Sequence, residues 1–290
     1  MGQIHFPDLG IVMDPDRVAF SLFGKDVYWY GIIIALGFAI AVIYGLRRSA
    51  SFGLTEDNIL DMLFVAVPSA IICARAYYCL FNWEAYAEDP ISALYIWEGG
   101  IAIYGGVIGA VASVLILSKI KKIPFGVYGD IGALGLLIGQ TVGRWGNFIN
   151  REAHGDIYDG FLRMGIEQKN GDILFYHPTF LYESLWNLIG FFVLHFYSRK
   201  RRFDGEVFCL YVMWYGLGRA WIEGLRTDSL YLFSTGIRVS QLLAILSAAA
   251  ALAVLIYYRK FRKFDGSELF VDRKVAIEDA INEEVPYGDT

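Results

Sequence analysis

Seven apolar stretches interrupt this chain between Trp29 and Tyr258, and a cluster of Lys and Arg follows every second one. The clusters are Arg47-Arg48, Lys119-Ile-Lys-Lys122, Arg199-Lys-Arg-Arg202 and Arg259-Lys-Phe-Arg-Lys263, after the first, third, fifth and seventh stretches. Positive clusters stay on the cytoplasmic side of a bilayer. The pattern therefore predicts an all-α integral membrane protein, a seven-transmembrane-helix bundle with its N-terminus outside and its C-terminus cytoplasmic. A spanning helix needs about 20 residues, with roughly 17 as the lower limit. The expected spans are Trp29–Leu46, Leu60–Phe81, Ile101–Ser118, Val127–Val142, Thr179–Tyr197, Glu206–Ile222 and Val239–Tyr258. Asp130, near the inner end of the fourth, makes that span the weakest. A β-barrel would need short alternating strands, and these runs are continuous.

Composition agrees with a membrane protein: 56% of residues are hydrophobic and 16% aromatic, with a mean hydropathy of +0.44, far from an ordinary soluble domain. One membrane domain, residues 29–263, accounts for the apolar runs. Residues 1–28 read as an outer-face arm, in which Val18, Phe20 and Leu22 alternate before a Gly24-Lys25 turn and Val27, a hairpin pattern. Residues 150–178, rich in Gly and charge, read as an outer cap over a site. Trp83, Tyr86, Tyr95 and Trp97 bracket the second loop, as aromatic residues do at headgroup level. The net charge of −5 conceals an acidic tail, residues 264–290, expected to be a cytoplasmic solvated or partly helical extension. No cleavable signal peptide is read, because the first apolar run follows a charged segment. Cys73, Cys79 and Cys209 fall inside spans without Cys-x-x-Cys spacing, which predicts neither disulfides nor a metal site. No cofactor, metal or nucleic acid is expected, and no internal repeat of the transporter kind is visible.

The unusual polar residues gather at the outer ends of the spans. Arg75 lies well inside the second run. An Arg at mid-bilayer costs about 2.5–3.5 kcal/mol on insertion scales, so it should face the bundle and pair, with Glu183 or Glu223 as candidate partners. Gly143-Arg144-Trp-Gly-Asn147-Phe-Ile-Asn150-Arg-Glu152 is the densest polar run at any helix end. Arg144 offers a planar fork suited to phosphate, with Asn147, Asn150 and Glu152 adding directed hydrogen bonds. The structural alternative is a helix stop followed by a polar loop. Gly216-Leu-Gly-Arg219-Ala-Trp-Ile-Glu223-Gly-Leu-Arg226-Thr-Asp228 repeats the theme, and an intrahelical pair of Arg219 with Glu223 is its simplest explanation. Two arginines at one depth, each beside glycines, point jointly to capture of a phosphate. Tyr104 sits among Gly99, Gly100, Gly105, Gly106 and Gly109, whose spacing also suits helix packing. In His177-Pro-Thr-Phe-Leu-Tyr182-Glu183, Pro178 suits a first helical turn, and Glu183 is open to an acid or ion-pair role.

Together these segments resemble the prolipoprotein diacylglyceryl transferases of bacterial inner membranes. The resemblance rests on Gly143 through Glu152 with Ala153-His154-Gly155, on Trp29-Tyr30-Gly31, on Gly99-Gly100 through Tyr104 to Gly109, on His177 through Glu183, and on Gly218-Arg219 through Glu223. It implies transfer of the diacylglyceryl group of phosphatidylglycerol to the lipobox cysteine of a prolipoprotein, forming a thioether and releasing glycerol-1-phosphate. It implies Arg144 and Arg219 as essential arginines and Tyr104 as a third catalytic position. Tyr30, Asn147, Glu152 and Gly155 fall in the family's polar site, and Arg75, Glu183 and Glu223 complete the expected substrate-binding set. Many relatives have His where this chain has Tyr104, and Gln where it has Phe180; the Tyr and the Ala-His-Gly sequence resemble the Gram-positive branch. The implied location is the bacterial cell membrane with the site on its outer side, and membrane lipids are the surroundings.

The residues suit that chemistry. Two arginines can bind the phosphate and stabilise charge developing as it leaves. They also favour the thiolate of an incoming cysteine, whose free pKa of about 8.5 falls beside cations. Tyr, with a reference pKa of about 10, is a poor base, so Tyr104 is expected to orient substrate or relay a proton. The rival from another class is a membrane transporter for an anionic solute, which predicts polarity through the whole membrane depth.

Overall fold

Helix α5 (Thr179–Tyr197) shows what environment the chain has folded for. Its buried stripe is Thr179, Glu183, Ser184, Asn187 and Gly190 with Phe180 and Leu194, while Leu185, Ile189, Phe192, Val193 and Phe196 are exposed. Polar inside and apolar outside inverts the pattern of a soluble helix, and it is stable only against hydrocarbon.

The computed structural model describes residues 2–226, 238–262 and 269–284. Thr227 and Asp228 of the sixth-span run, Lys263 of the last basic cluster, and tail residues 264–268 and 285–290 lie outside the described residues. Eight α-helices and six short strands are described, and five helical segments are long and apolar enough to cross a membrane: Trp29–Phe52, Glu56–Phe81, Ile103–Lys121, Phe125–Asn150 and Val239–Phe261. The other two expected spans are present as helices with the expected bounds, α5 and α6 (Glu206–Ile222). Glu183, Asn187 and His195 dilute the apolar character of α5, and α6 has only 17 residues. The protein is therefore a mostly helical, multi-pass membrane protein with a small sheet.

The chain forms two compact units. The first comprises Met1–Tyr44, Gly132–Arg201 and Glu206–Lys263. The arm contributes β1 (Ile4–Phe6) and β2 (Ile11–Met13), and the cap contributes β5 (Met164–Glu167) and β6 (Ile173–Tyr176). They form one antiparallel sheet in the order β2-β1-β5-β6, with Ile4 opposite both Met13 and Ile166. The expected hairpin is present as β3 (Val18–Leu22) and β4 (Lys25–Tyr28). The four-stranded sheet was not expected, since its pairing joins segments more than 150 residues apart that are too short to show a period. Ile4, Phe6, Met164 and Ile166 pack with Phe148 and Phe180 in one buried cluster, so Phe180 is a core residue here. Helix α1 (Trp29–Arg48) begins directly after β4, and α4 (Phe125–Asn150) runs eight residues past the Val142 expected as its end. The Gly143–Asn150 run is thus helix, and the loop alternative is corrected.

Helices α5 and α6 lock through a reciprocal device. Trp186 lies over Gly218 and Trp214 over Gly190, where a β-carbon would meet each indole nitrogen. Each indole N–H donates to the other tryptophan's carbonyl at 3.0 Å, and the rings stack at 4.6 Å. Gly216 admits Ala244 and Ala248 of α7 (Val239–Phe261), where a β-carbon would lie 2.8 Å from the Ala244 carbonyl. The glycines before Arg219 therefore serve helix contact.

The second unit comprises Gly45–Ile131, Arg202–Gly205 and Phe264–Thr290. Helices α2 (Glu56–Phe81) and α3 (Ile103–Lys121) pack through Gly105 and Gly109, the latter with only 2.5 Å from a virtual β-carbon to the Ser69 carbonyl. Arg75 pairs with neither Glu183 nor Glu223. Its guanidinium donates to the carbonyls of Ala93 at 2.8 Å, Gly99 at 2.6 Å, Gly100 at 2.8 Å and Ser92 at 2.9 Å, and lies 5.2 Å from the Tyr86 ring centroid. The expected ion pair is replaced by backbone because the 82–100 connection folds back on α2 and turns four carbonyls onto the guanidinium. Gly99 and Gly100 adopt φ of 90° and 75°, the left-handed geometry that turns both carbonyls onto one guanidinium. In the acidic tail, α8 (Phe270–Glu284) docks through the Phe270 amide on Asp204 at 2.9 Å.

Candidate active site

The site is built at one end of α4, α5 and α6 in the first unit. Arg144 and Asn147 are three apart on α4, and Arg144 Nη1 lies 3.3 Å from Asn147 Oδ1. Asn147 Nδ2 donates to Glu152 Oε1 at 2.9 Å, and Asn150 reaches the same oxygen at 3.4 Å. Glu152 can turn back because α4 ends in left-handed residues, Arg151 at φ 55° and Ala153 at φ 56°. Such geometry costs about 1–3 kcal/mol per non-glycine residue and persists only where surroundings impose it. Here they do. Arg151 is anchored to the arm through the carbonyls of Gly2 at 2.8 Å and Pro15 at 3.2 Å and through Asp14 at 3.1 Å. Thr179 Oγ1 donates to the Ala153 carbonyl at 2.5 Å.

Glu183 is the hub. Its carboxylate meets Arg144, Arg219 Nη1 at 3.3 Å and Arg226 Nη1 at 3.3 Å. Glu223 continues the network: Oε2 is 2.6 Å from Arg219 Nη2, and Oε1 accepts from Ser240 at 2.6 Å. Arg238 donates to the Glu223 carbonyl oxygen. Among the described residues, four guanidiniums, Arg144, Arg219, Arg226 and Arg238, share the network with three carboxylates, Glu152, Glu183 and Glu223, which leaves an excess of one positive charge. The accessibilities differ in kind. Side chains of Arg144 and Arg219 are 22% and 17% exposed, while those of Glu183 and Glu223 are 7% and 3%. Carboxylates fix the arginines from behind and leave donors accessible to an anion, an arrangement that a low-dielectric surrounding strengthens.

Tyr30, in the first turn of α1, lies against Gly146, whose β-carbon would come within 2.7 Å of the ring. Gly155 marks a three-way crossing: a β-carbon there would be 2.6 Å from His177 Cβ and 2.7 Å from the Leu225 carbonyl. Its amide donates to the His177 carbonyl at 3.0 Å, and the next amide, Asp156, donates to Leu225 at 2.8 Å. His177 stacks on Tyr158 at 3.8 Å, with Nδ1 3.5 Å from the Tyr182 hydroxyl. Burial holds its imidazole below the usual histidine range, against an opposing pull from Asp156.

Of the expected site residues, the fold gathers Arg144, Asn147, Glu152, Glu183, Arg219 and Glu223 into one connected network, with Tyr30 and Gly155 shaping its backbone. Arg75 and Tyr104 belong to the second unit, where Tyr104 occupies the first turn of α3 and Arg75 holds carbonyls. Arg226, Arg238 and Ser240 were not anticipated. Arg226 stood in the quoted run, but the short 3-10 turn at Glu223–Leu225 redirects it, and no helical spacing reveals that. Among the described residues no group of three or more His, Cys, Asp or Glu could hold a metal ion.

A sequence profile described as prolipoprotein diacylglyceryl transferase matches residues 17–257. The chain belongs to that family. It is 45% identical over 249 residues to the phosphatidylglycerol–prolipoprotein diacylglyceryl transferase of Bacillus velezensis, covering 83% of this chain and 92% of the relative. The same-named proteins of Bacillus licheniformis and Oceanobacillus iheyensis are each 44% identical, the first over 252 residues (84% and 93% of the two chains), the second over 255 (84% and 88%). These sources agree with the Gram-positive-like reading of Tyr104 and Ala153-His154-Gly155. Within the diacylglyceryl transferase family frame, the Arg144 and Arg219 network lies wholly inside the matched segment.

Proposed function

We propose that the guanidiniums gathered around Glu183 grip the phosphate of phosphatidylglycerol while the thiol of a prolipoprotein cysteine displaces it. Membership of the diacylglyceryl transferase family and the named relatives carry the overall activity, phosphatidylglycerol–prolipoprotein diacylglyceryl transfer. The assignment of residues to it rests on one observation. Arg144, Arg219 and Arg226 converge on a single buried carboxylate and keep partly accessible donors.

In the reaction, the thiol loses its proton to water and the sulfur attacks the glyceryl carbon that bears the phosphate. A carbon–sulfur bond forms, the carbon–oxygen bond breaks, and its electron pair leaves on glycerol-1-phosphate. Negative charge then grows on the phosphate oxygens. Preorganised planar guanidinium forks stabilise that charge without reorganising, a class of effect worth about 10²–10³ in rate per donor removed. Asn147 and Glu152 hold Arg144 in orientation. Tyr30 and Gly155 shape the walls, and Tyr104 is read as orienting substrate or relaying a proton. The seven-helix topology, with the N-terminus and the site outside and the C-terminus cytoplasmic, follows from the basic clusters.

Phosphatidylglycerol labelled in its acyl chains, and in parallel in its headgroup, incubated with reconstituted protein and a lipobox peptide tests the proposal. Diacylglyceryl label on the cysteine, with glycerol-1-phosphate released in equal amount, is the expected result. Flux of an anionic solute across the liposome without transfer would instead support the transporter reading.

A further inference from the structure

We propose that a groove between α6 and α7, lined by none of the residues of the Glu183 network, binds one anionic phospholipid and not as substrate. The groove has a volume of about 450 Å³, within the range of small-ligand pockets, about 300–1,000 Å³. Leu210 and Met213 of α6 and Leu252, Leu255 and Ile256 of α7 line it, and Arg259 and Lys260 lie at the α7 end of that lining. The order along α7 sets its polarity. Leu252 lies seven residues, about two helical turns, before Arg259, so an apolar channel ends in two cations. An acyl chain with an anionic headgroup matches that sequence of surfaces.

Charge complementarity goes beyond the two lining cations. Arg259 is fixed in place: its Nε and Nη2 donate to Glu206 Oε1 at 2.8 and 2.6 Å, and it also reaches the Tyr197 hydroxyl. Glu206 is fully buried. Arg259 Nη1 has no partner among the described residues. The Tyr197 contact brings the end of α5 to the same place, where Arg199 and Lys200 are exposed. Arg199, Lys200, Arg259, Lys260 and Arg262 are all exposed there, and the buried Glu206 is already taken up by Arg259. A zwitterionic headgroup brings an ammonium into this field, whereas a phosphate monoester or diester without one is attracted. Juxtamembrane cations each contribute on the order of a fivefold preference for anionic lipid. The Arg144 network does not enter the groove, so the site is separate from the proposed chemistry.

The test uses phosphatidic acid, which lacks the glycerol headgroup of the substrate, against phosphatidylcholine of the same chains. Each is titrated into the full-length protein in detergent, and retained lipid is counted by native mass spectrometry. Wild-type protein should retain one more phosphatidic acid than phosphatidylcholine. Ile256→Trp, which fills the groove, should lose that molecule, and Lys260→Gln should weaken it about fivefold with no effect on phosphatidylcholine. Neither residue touches the Glu183 network, so both variants should keep transferase activity. Equal retention of the two lipids by wild-type protein overturns the proposal, as does undiminished phosphatidic acid binding in both variants.

Discussion

Arg226 Nη1 lies 3.3 Å from Glu183 Oε1 across 43 residues of sequence, and the contact makes Glu183 the common partner of three arginines. A buried carboxylate so placed has two effects. It lowers the cost of bringing three like charges together, and it holds their donors in fixed directions.

Arg144→Ala and Arg219→Ala should each lower transfer to the lipobox cysteine by at least about 10²-fold. The protein should still insert, as membrane fractionation would report. Arg144→Lys should recover only part of the loss, since a point charge cannot replace a planar fork. Normal turnover by either alanine variant would remove the arginines from the reaction.

Glu183→Gln removes the negative hub and leaves the arginines facing one another. Breaking a buried pair on one side costs about 3–5 kcal/mol, so the melting temperature in detergent should fall. Arg226→Ala leaves Glu183 two partners, and it should lower activity with a smaller change in melting temperature. A Glu183→Gln protein as stable as wild type would show that the network is not a structural unit.

Tyr104→Phe should impair transfer without abolishing it, because a phenol, with a reference value of about 10, serves better for orientation than as a base. Rates of the purified variant with saturating phosphatidylglycerol decide this. Complete loss of activity would instead give the hydroxyl an obligatory proton-transfer role.

Arg75→Met should free the 82–100 connection, since four carbonyls lose their shared donor. Limited proteolysis should then cut between Trp83 and Glu98 faster than it does in wild-type protein. Arg75→Lys should protect poorly, because an ammonium cannot reach four carbonyls arranged around a guanidinium plane.

The pH dependence of stability should carry a signature of His177. Burial holds its folded pKa below the unfolded value of 6.5, so the unfolded chain takes up the proton first as pH falls. Its contribution is present above pH 6.5 and is lost as pH drops through the depressed folded value. His177→Gln should flatten the melting-temperature profile over that acidic window while leaving the neutral plateau in place.

Much of this molecule was legible in one dimension. The apolar runs located the helices that were later found, with α5 and α6 matching at both ends, because a helix buried in hydrocarbon must satisfy its backbone internally and therefore needs a long uninterrupted apolar segment. The hairpin at Val18–Tyr28 followed from alternation around Gly24. Arg144, Arg219 and Glu183 stood out because charged groups near hydrocarbon are costly and must have partners. What the partners are, only the tertiary structure decided. Arg75 met carbonyls and not carboxylates, the glycines before Arg219 admitted tryptophan and alanine from neighbouring helices, and Arg226 turned inward after a 3-10 turn. Hydrophobic period reports a face and a length, which are local properties. The direction of a guanidinium and the pairing of β1 with β5 depend on groups distant in sequence, and no local pattern carries them.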